Sequence, residues 1–271
     1  NTFLGASSGN TTSTGTDNTA VGGAALSADT TGSNNSALGR LVLETNTTGS
    51  NNSALGFSAM RFNTTGTNNA AFGASALEAN TIGIFNSAFG DTALQSNLTG
   101  VVNTAFGSAA LLLNTAGSGN SAFGNGALSN LTSGDFNFAF GTLAGVNLTT
   151  GTGNTYVGNT GVTAESNTIR IGASQTAAFM AGISGQASGG GVPVFVNSAG
   201  KLGTSTDVSL AVWSLTGNAG TNPATNFIGT TDAQPLELRV AGQRVLRIES
   251  VAALGDVSVN VLGGHPGNNV V

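Results

Sequence analysis

The chain has 271 residues, of which 7% are charged and 42 are glycine, a composition unlike that of an ordinary enzyme or of a disordered tail. Its formal charge is -5 and it has only seven Lys and Arg residues, too few to follow a line of phosphates, which argues against a nucleic-acid partner and against an anionic membrane surface. Cysteine is absent, which excludes disulfides, thiol catalysis and thiolate metal sites.

A short motif returns every 17 residues from the N-terminus to Gly158, without insertion or deletion. Its usual form is Asn-(Ser/Thr)-Ala-(Phe/Leu/Val)-Gly, and we call its last residue the anchor glycine. A fixed short period over ten units indicates stacked coils, since such a stack does not tolerate changes in loop length. The sequence therefore predicts an all-β fold, a parallel β-roll or β-solenoid of about ten 17-residue coils. The anchor glycines are Gly5, Gly22, Gly39, Gly56, Gly73, Gly90, Gly107, Gly124, Gly141 and Gly158.

Asparagine occupies the position four residues before the anchor glycine in all ten units. Stacked coils lie ~4.8 Å apart, and identical amides at that spacing can form hydrogen bonds along the column. We predict that this ladder fixes the register of every coil. Its members are Asn1, Asn18, Asn35, Asn52, Asn69, Asn86, Asn103, Asn120, Asn137 and Asn154.

The residue directly before the anchor glycine is always apolar. In five consecutive units it is phenylalanine, which predicts a stack of aromatic rings, and we interpret this column as core. A second apolar column, from Leu26 to Leu128, lies four residues after the anchor and is preceded by small residues. Two large side chains per coil make a thin core, so the repeat predicts closely packed partner chains. The five phenylalanines are Phe72, Phe89, Phe106, Phe123 and Phe140.

A second glycine lies ten residues after the anchor and is usually preceded by Thr-Thr or Leu-Thr. Glycine allows a positive φ at a turn and Thr favours extended backbone, so we predict two short strands and two tight corners per coil. Phe3 and Tyr156 replace the usual Ala in the outermost units, as expected of coils that seal the stack. These second glycines are Gly15, Gly32, Gly49, Gly66, Gly83, Gly100, Gly117, Gly134 and Gly151.

The strings NSALG, NSAFG, NTAFG and NTAVG resemble the head repeats of trimeric autotransporter adhesins of the YadA type, whose motif is close to Asn-Ser-Val-Ala-Ile-Gly. The resemblance covers residues 1–172 and includes NTIRIG at Asn167–Gly172. It implies left-handed β-rolls, three chains packed side by side as a homotrimer, and an extracellular or cell-surface location. The period of 17 is longer than is typical of those heads.

The repeat stops near Thr176. The strings QTAAFMAGISG and VPVFVNSAGKLGTS resemble junctions in phage tail-fibre-type and bacterial surface proteins, which makes a virion surface the other expected location. Alternating apolar residues predict one hairpin over Val192–Gly203 and another around Gly242, with a loop over Trp213–Gly229 between them. We divide the chain into a β-roll domain (1–175), a connector with a hairpin (176–205) and a small β domain (206–271) expected to be intertwined in the trimer.

Few side chains could carry catalysis. His265 is the only histidine, so a His-based triad or metal site would have to be built there. The string GASSG matches a nucleophile elbow and GTGNTYVG resembles a phosphate loop, but both are repeat corners without the required helix. We therefore expect no enzyme activity, cofactor or metal. Several triplets match glycosylation acceptors, including those at Asn46, Asn63 and Asn97, but the abundance of Asn and Thr alone would produce them.

Three functions fit this pattern. The leading hypothesis is a structural or adhesive segment of an extracellular trimeric fibre, whose partners are its own copies and a surface glycan or protein receptor. The first alternative is a phage tail fibre or spike that binds or cleaves glycans, with Glu44 and Glu78 as carboxylates in one column and Arg40 and Arg61 at the surface or paired with them. The second is an ice- or surface-binding solenoid that uses Thr pairs such as Thr30-Thr31, Thr47-Thr48 and Thr64-Thr65. No apolar run reaches the ~20 residues of a membrane helix, so we expect no membrane insertion.

Overall fold

The computed structural model describes residues 1–177, 195–196, 202–203, 236–253 and 256–263. The chain divides into two compact units, Asn1–Phe179 and Met180–Val271. Within the described ranges every regular element is a β-strand and there is no helix, which confirms the all-β prediction. None of the described residues belongs to a helix that is long and apolar enough to cross a membrane.

The first unit is a β-solenoid in which each coil adds one strand to a single parallel sheet. Eleven strands follow one another in sequence order, and neighbours pair in register at a spacing of 17 residues, as Ser36 does with Ser53. The last step, from Thr155 to Ile169, is 14 residues. The predicted stack of 17-residue coils is confirmed. The strands are β1 Thr2–Leu4, β2 Thr19–Val21, β3 Ser36–Leu38, β4 Ser53–Leu55, β5 Ala70–Phe72, β6 Ser87–Phe89, β7 Thr104–Phe106, β8 Ser121–Phe123, β9 Phe138–Phe140, β10 Thr155–Val157 and β11 Ile169–Ile171.

Each coil contains one strand, so the prediction of two strands per coil was wrong. The segment after the anchor glycine is a run of turns in which alternate residues have left-handed backbone, such as Thr92 (φ 56°) and Leu94 (φ 52°). A strand cannot continue through such residues, because left-handed φ lies outside the extended β region. Backbone hydrogen bonds still join the coils here, as from Leu94 N to Ala110 O at 2.9 Å. The side of the coil opposite the sheet is therefore a stack of turns.

The core consists of columns of small and medium apolar side chains between the sheet and the turns. In each strand the middle residue points inward, as does the fully buried Ala88. Ala93 and Leu94 approach it from the turn side and are also fully buried. Burial of each leucine stabilises the coil by ~1.5–3 kcal/mol. The small alanines allow the sheet and the turns to pack closely.

Aromatic residues close the two ends of this core. Phe3 packs against the N-terminal end, and Tyr156 is fully buried at the C-terminal end. The Tyr156 hydroxyl donates a hydrogen bond to Glu165 Oε1 (2.9 Å), which also forms an ion pair with Arg170. Burial raises the pKa of the Tyr156 hydroxyl above its ordinary value, so the hydroxyl remains a hydrogen-bond donor at neutral pH.

The described residues of the second unit form two small antiparallel sheets. β12 (Phe195–Val196) pairs with β13 (Leu202–Gly203), which agrees with the hairpin predicted over Val192–Gly203. β14 (Leu236–Val240), β15 (Gln243–Ala253) and β16 (Asp256–Gly263) form a three-stranded sheet. Its first two strands form the hairpin predicted around Gly242, and its third was not predicted. The predicted loop over Trp213–Gly229 and His265 lie outside the described residues.

Candidate functional site

The asparagine column before the strands forms a buried ladder along the whole solenoid. Each side-chain oxygen accepts a hydrogen bond from the backbone N–H of the next asparagine, as Asn86 Oδ1 does from Asn103 N at 3.0 Å. Each side-chain nitrogen donates to a corner carbonyl, as Asn86 Nδ2 does to Gly100 O at 2.8 Å. The structure thus brings the ladder asparagines together, mainly through backbone N–H groups. The members at most 2% exposed are Asn18, Asn35, Asn52, Asn69, Asn86, Asn103, Asn120, Asn137 and Asn154.

A second asparagine ladder, absent from the sequence predictions, lies seven residues after the anchor glycine. Here the side chains bond directly to one another, as Asn80 Nδ2 donates to Asn63 Oδ1 at 2.7 Å. The available signal was the Asn of the recurrent Asn-Thr-Thr-Gly segment. Because these side chains are fully buried, the glycosylation triplets at Asn46, Asn63 and Asn97 cannot carry a glycan in the folded chain. The members are Asn46, Asn63, Asn80, Asn97 and Asn114.

The two ladders meet at the second glycine of each central coil. Gly83 O accepts hydrogen bonds from Asn69 Nδ2 (2.8 Å) and Asn80 Nδ2 (3.1 Å). A Cβ at Gly83 would lie 2.3 Å from Asn80 Oδ1 and 2.6 Å from Gly100 O. The predicted reason for this glycine, a positive φ, was wrong here, since Gly83 does not have left-handed φ. Glycine is required at this corner because the ladder leaves no space for a side chain.

The second ladder ends inside the core at Asn114. Its column continues with the buried side chains of Leu131 and Leu148, which cannot donate a hydrogen bond. Asn114 Oδ1 is buried and has no hydrogen-bond partner among the described residues. An unsatisfied buried acceptor costs about 1–3 kcal/mol. The last rung of this ladder is therefore weaker than the interior rungs.

Leucine substitutions at an interior and at the last rung are expected to differ. Asn80→Leu leaves Asn63 Oδ1 without its donor and removes the acceptor of Asn97 Nδ2, so we expect a loss of about 2 kcal/mol. Asn114→Leu removes the unsatisfied Asn114 Oδ1 but leaves Asn97 Oδ1 without its donor, so the number of unsatisfied acceptors stays the same. Gly117 O keeps a donor, Asn103 Nδ2. We expect the free energy of unfolding of Asn114→Leu to change by less than ~1 kcal/mol. Denaturant unfolding of both variants tests this, and equal losses would contradict it.

Asp29 occupies the first position of the second ladder. Asp29 is 2% exposed. Its Oδ1 accepts a hydrogen bond from Asn46 Nδ2 (3.0 Å), and its Oδ2 accepts one from Ser13 Oγ (2.7 Å). Burial raises the pKa of this carboxyl above its ordinary value of 3.8, although the bonds from Ser13 and Asn46 oppose the shift. The folded chain therefore binds this proton more tightly than the unfolded chain does. Stability is lost as the pH rises through the folded pKa of Asp29.

The variant Asp29→Asn is expected to be more stable than the natural chain at pH 7, by about 1 kcal/mol, because it replaces a buried carboxylate by the amide of the other rungs. The advantage should shrink as the pH falls through the raised folded pKa of Asp29, because the folded chain then holds this carboxyl in its neutral form. Denaturation midpoints measured at several pH values test this sign. Asp91→Asn, at an exposed position, is the matched control. A gain that grows toward low pH would contradict the argument.

The phenylalanine column lies on the outer face of the sheet, so its interpretation as core was wrong for the single chain. Strand alternation turns Ala88 inward and Phe89 outward. The exposed fractions are 37% for Phe72, 55% for Phe106 and 57% for Phe140, and Phe89 is half-buried, as is Phe123. The interior, already filled by the alanine and leucine columns, has no space for these rings.

The predicted aromatic stack is present over part of this column. The ring centroids of Phe72 and Phe89 are 4.9 Å apart, and those of Phe89 and Phe106 are 5.2 Å apart, both in stacked geometry. Phe123 instead tilts toward Phe138 (6.1 Å) and Phe140 (6.4 Å). These rings therefore contact one another along the outside of the solenoid.

Apolar side chains continue the column toward both ends of the sheet. Leu4 is 67% exposed, Leu38 is 49% exposed and Ile171 is 76% exposed. Since a phenylalanine side chain contributes ~150–250 Å² when fully covered, the whole outer face exposes on the order of 1,000 Å² of apolar surface. The largest patch on a typical monomer is ~300–600 Å². A shallow groove on this face is lined by Ser36, Leu38, Ser53, Ala54, Leu55 and Phe72.

The carboxylates considered for glycan cleavage lie on the turn side and have partners in the next coil. Glu44 Oε2 accepts from Arg61 Nε at 2.6 Å, and Glu78 Oε2 accepts from Gln95 Nε2 at 2.8 Å. The Arg40 guanidinium lies over an aromatic ring, that of Phe57, at 5.8 Å. Partly exposed pairs of this kind contribute at most ~1 kcal/mol each. No group of three metal-ligating side chains occurs in the part of the chain that the structure describes.

The threonines considered for ice binding also take part in the inter-coil bonding. Thr47 Oγ1 donates to Thr64 O at 3.0 Å, and Thr64 Oγ1 donates to Thr81 O at 2.9 Å. The first threonine of each pair therefore uses its hydroxyl donor within the stack. Its hydroxyl hydrogen is not available to an external surface.

Comparisons with protein-family models, with curated proteins and with solved structures found no match. The fold and the site together define the chain as a β-solenoid repeat protein with two internal asparagine ladders and an exposed apolar sheet face.

Proposed function

We propose that the chain is a structural or adhesive segment of an extracellular trimeric fibre. The observation that carries the proposal is the apolar column from Leu4 to Ile171 on the outer face of the sheet. Its apolar area is comparable to the ~800 Å² per partner that specific protein interfaces bury. A further copy of the chain would cover it, and the removal of this apolar surface from water would favour assembly.

Side-by-side packing of parallel copies follows from the constant 17-residue period. Copies aligned in register present the same coil at the same height, so each apolar residue meets an apolar residue along the full length of the sheet. A closed ring of three copies turns all three faces toward one axis, and closed symmetry prevents further growth sideways. The resemblance to YadA-type head repeats favours three chains over two.

A fibre role agrees with the internal bonding of the solenoid. Ten coils at ~4.8 Å give a rod about 50 Å long, and each coil is tied to the next by backbone and asparagine hydrogen bonds. The rod would serve as a spacer and as a surface for contact with a glycan or protein receptor. The extracellular or virion-surface location rests on the family resemblance and on the absence of cysteine.

The mass of the full chain by light scattering tests the proposal. We expect a trimer, and we expect Phe106→Glu to reduce it to a monomer, because it places like charges on facing copies. Phe106 is 55% exposed in the single chain, so the coil itself tolerates the substitution. Phe62→Glu, at a 42% exposed residue on the turn side, is the matched control and should leave the trimer intact. A natural chain that stays monomeric at micromolar concentration would exclude the proposal.

A further inference from the structure

The outer face of the sheet differs between the two halves of the solenoid. Three positions per coil face outward, located five, three and one residues before the anchor glycine. The first of these is polar in the coils of β2 to β5, where it is Asp17, Asn34, Asn51 or Asn68. In the coils of β8 and β10 it is Gly119 or Gly153, and in the coils of β6, β7 and β9 it is apolar. We call these three residues the clamp residues, and they are Phe85, Val102 and Phe136.

The clamp residues have an unfavourable backbone conformation. Phe85 (φ 58°), Val102 (φ 58°) and Phe136 (φ 57°) are all left-handed, as is Asn34 (φ 59°) of the polar half. Asn and Asp adopt this conformation readily, whereas bulky side chains do so rarely and β-branched ones such as Val least of all. The C-terminal half therefore places strained apolar residues where the N-terminal half has suitable polar ones.

Burial within the single chain does not offset this strain. Phe85 is 55% exposed, Val102 is 57% exposed and Phe136 is 71% exposed. The Phe136 ring gains limited contact by lying over Gly119, where a Cβ would be 2.8 Å from a ring atom. In the polar half, Asn34 Nδ2 donates a hydrogen bond to Asn51 Oδ1. The apolar clamp residues cannot form such a side-chain hydrogen bond. Both costs are recovered only if another surface covers these residues.

We infer that the clamp residues form the principal contact between copies of this chain, while the N-terminal coils contribute only the single column before the anchor. The inference rests on the proposed self-assembly and identifies the coils in which the contact between copies is strongest. Phe136 lies two residues before β9, whose outward residues are Phe138 and Phe140, so the clamp residues lie beside the phenylalanine column. In parallel copies in register, apolar coils meet apolar coils and polar coils meet polar coils. A second copy in register is therefore complementary to the polar half and to the apolar half of the sheet face.

The triple variant Phe85→Asn, Val102→Asn and Phe136→Asn of the full chain tests the inference. We expect its dissociation constant, from sedimentation over a dilution series, to rise at least about 100-fold, as for the loss of several central interface residues. The double variant Phe62→Asn and Leu113→Asn is the control. Both residues are 42% exposed, lie on the turn side and have ordinary backbone, so it should assemble as the natural chain does.

A second measurement isolates the strain. In a chain made monomeric by Phe106→Glu, the triple substitution should raise the denaturation midpoint, because asparagine suits left-handed φ better than Phe or Val. A lower midpoint there would overturn the strain argument.

The outcomes separate this inference from the proposed function. A natural chain that never assembles overturns both. A natural chain that assembles with the same dissociation constant as the triple variant overturns the inference alone and assigns the clamp surface to a foreign partner. Equal weakening by the turn-side control would also overturn it.

Discussion

A single methyl group at Gly90 is expected to break the stack of coils. In Gly90→Ala the new Cβ would lie 2.5 Å from Gly107 O and 2.6 Å from Gly107 C, both backbone atoms of the next coil. Gly90 also has φ 141°, which side chains rarely adopt. Because relief requires the next coil to move away, we expect a loss of at least ~4 kcal/mol in the free energy of unfolding, measured with denaturant at one fixed protein concentration.

The same repeat position offers a control for this substitution. Gly158 is the last anchor glycine, with φ 59° and no atom within 4 Å of the position that a Cβ would take, so Gly158→Ala meets only the backbone penalty of ~1–2 kcal/mol. The expected contrast separates the crowded corner of Gly90, where close approach and φ 141° act together, from an ordinary left-handed φ as the reason for the anchor glycine. Similar losses at Gly90 and Gly158 would show that close approach is not the cause.

The stacking of the coils could be predicted from the sequence because it depends on a strict period. Gly90 and Asn86 recur without exception at their positions, and a stack repeats the environment of each position in every coil. The direction in which each strand residue points was harder to predict. Ala88 and Phe89 are adjacent, and strand alternation allows only one of them to face inward. Side-chain size favoured Phe89, whereas the interior accommodates only Ala88.

The turn side of the coil could not be predicted because local preference and tertiary packing conflict there. Leu94 is left-handed, a conformation that costs ~1–2 kcal/mol for a residue with a side chain. Full burial of the same side chain gains ~1.5–3 kcal/mol, which offsets that cost. Since the compensation comes from neighbouring coils, the local sequence does not reveal it.

The second ladder was missed for a related reason. Its column contains Asp29 at the start and Leu131 and Leu148 at the end, so it lacks the invariance of the first ladder. In a chain rich in Asn and Thr, the triplets at Asn46 and Asn63 are explained by composition alone. The buried side-chain bonds that distinguish these asparagines from solvent-exposed ones become visible only in the structure.

The first ladder is expected to respond strongly to removal of one rung at its centre. Asn86→Ala deletes the acceptor of the buried Asn103 N–H (3.0 Å) and the donor to Gly100 O (2.8 Å). Gly100 O keeps its second donor, Asn97 Nδ2, but the Asn103 N–H has no substitute, and the lost side chain leaves a cavity. We expect a loss of about 3–4 kcal/mol in the free energy of unfolding.

Hydrogen exchange locates this effect within the chain. In Asn86→Ala, protection of the Asn103 amide should fall more than that of amides three or more coils away, because solenoid coils contact mainly their neighbours. Asn125→Ala replaces an exposed asparagine and should change stability by less than ~0.5 kcal/mol. If Asn86→Ala unfolds at the same denaturant concentration as Asn125→Ala and Asn103 stays protected, the register of the coils is held by the backbone bonds and the buried amides are dispensable.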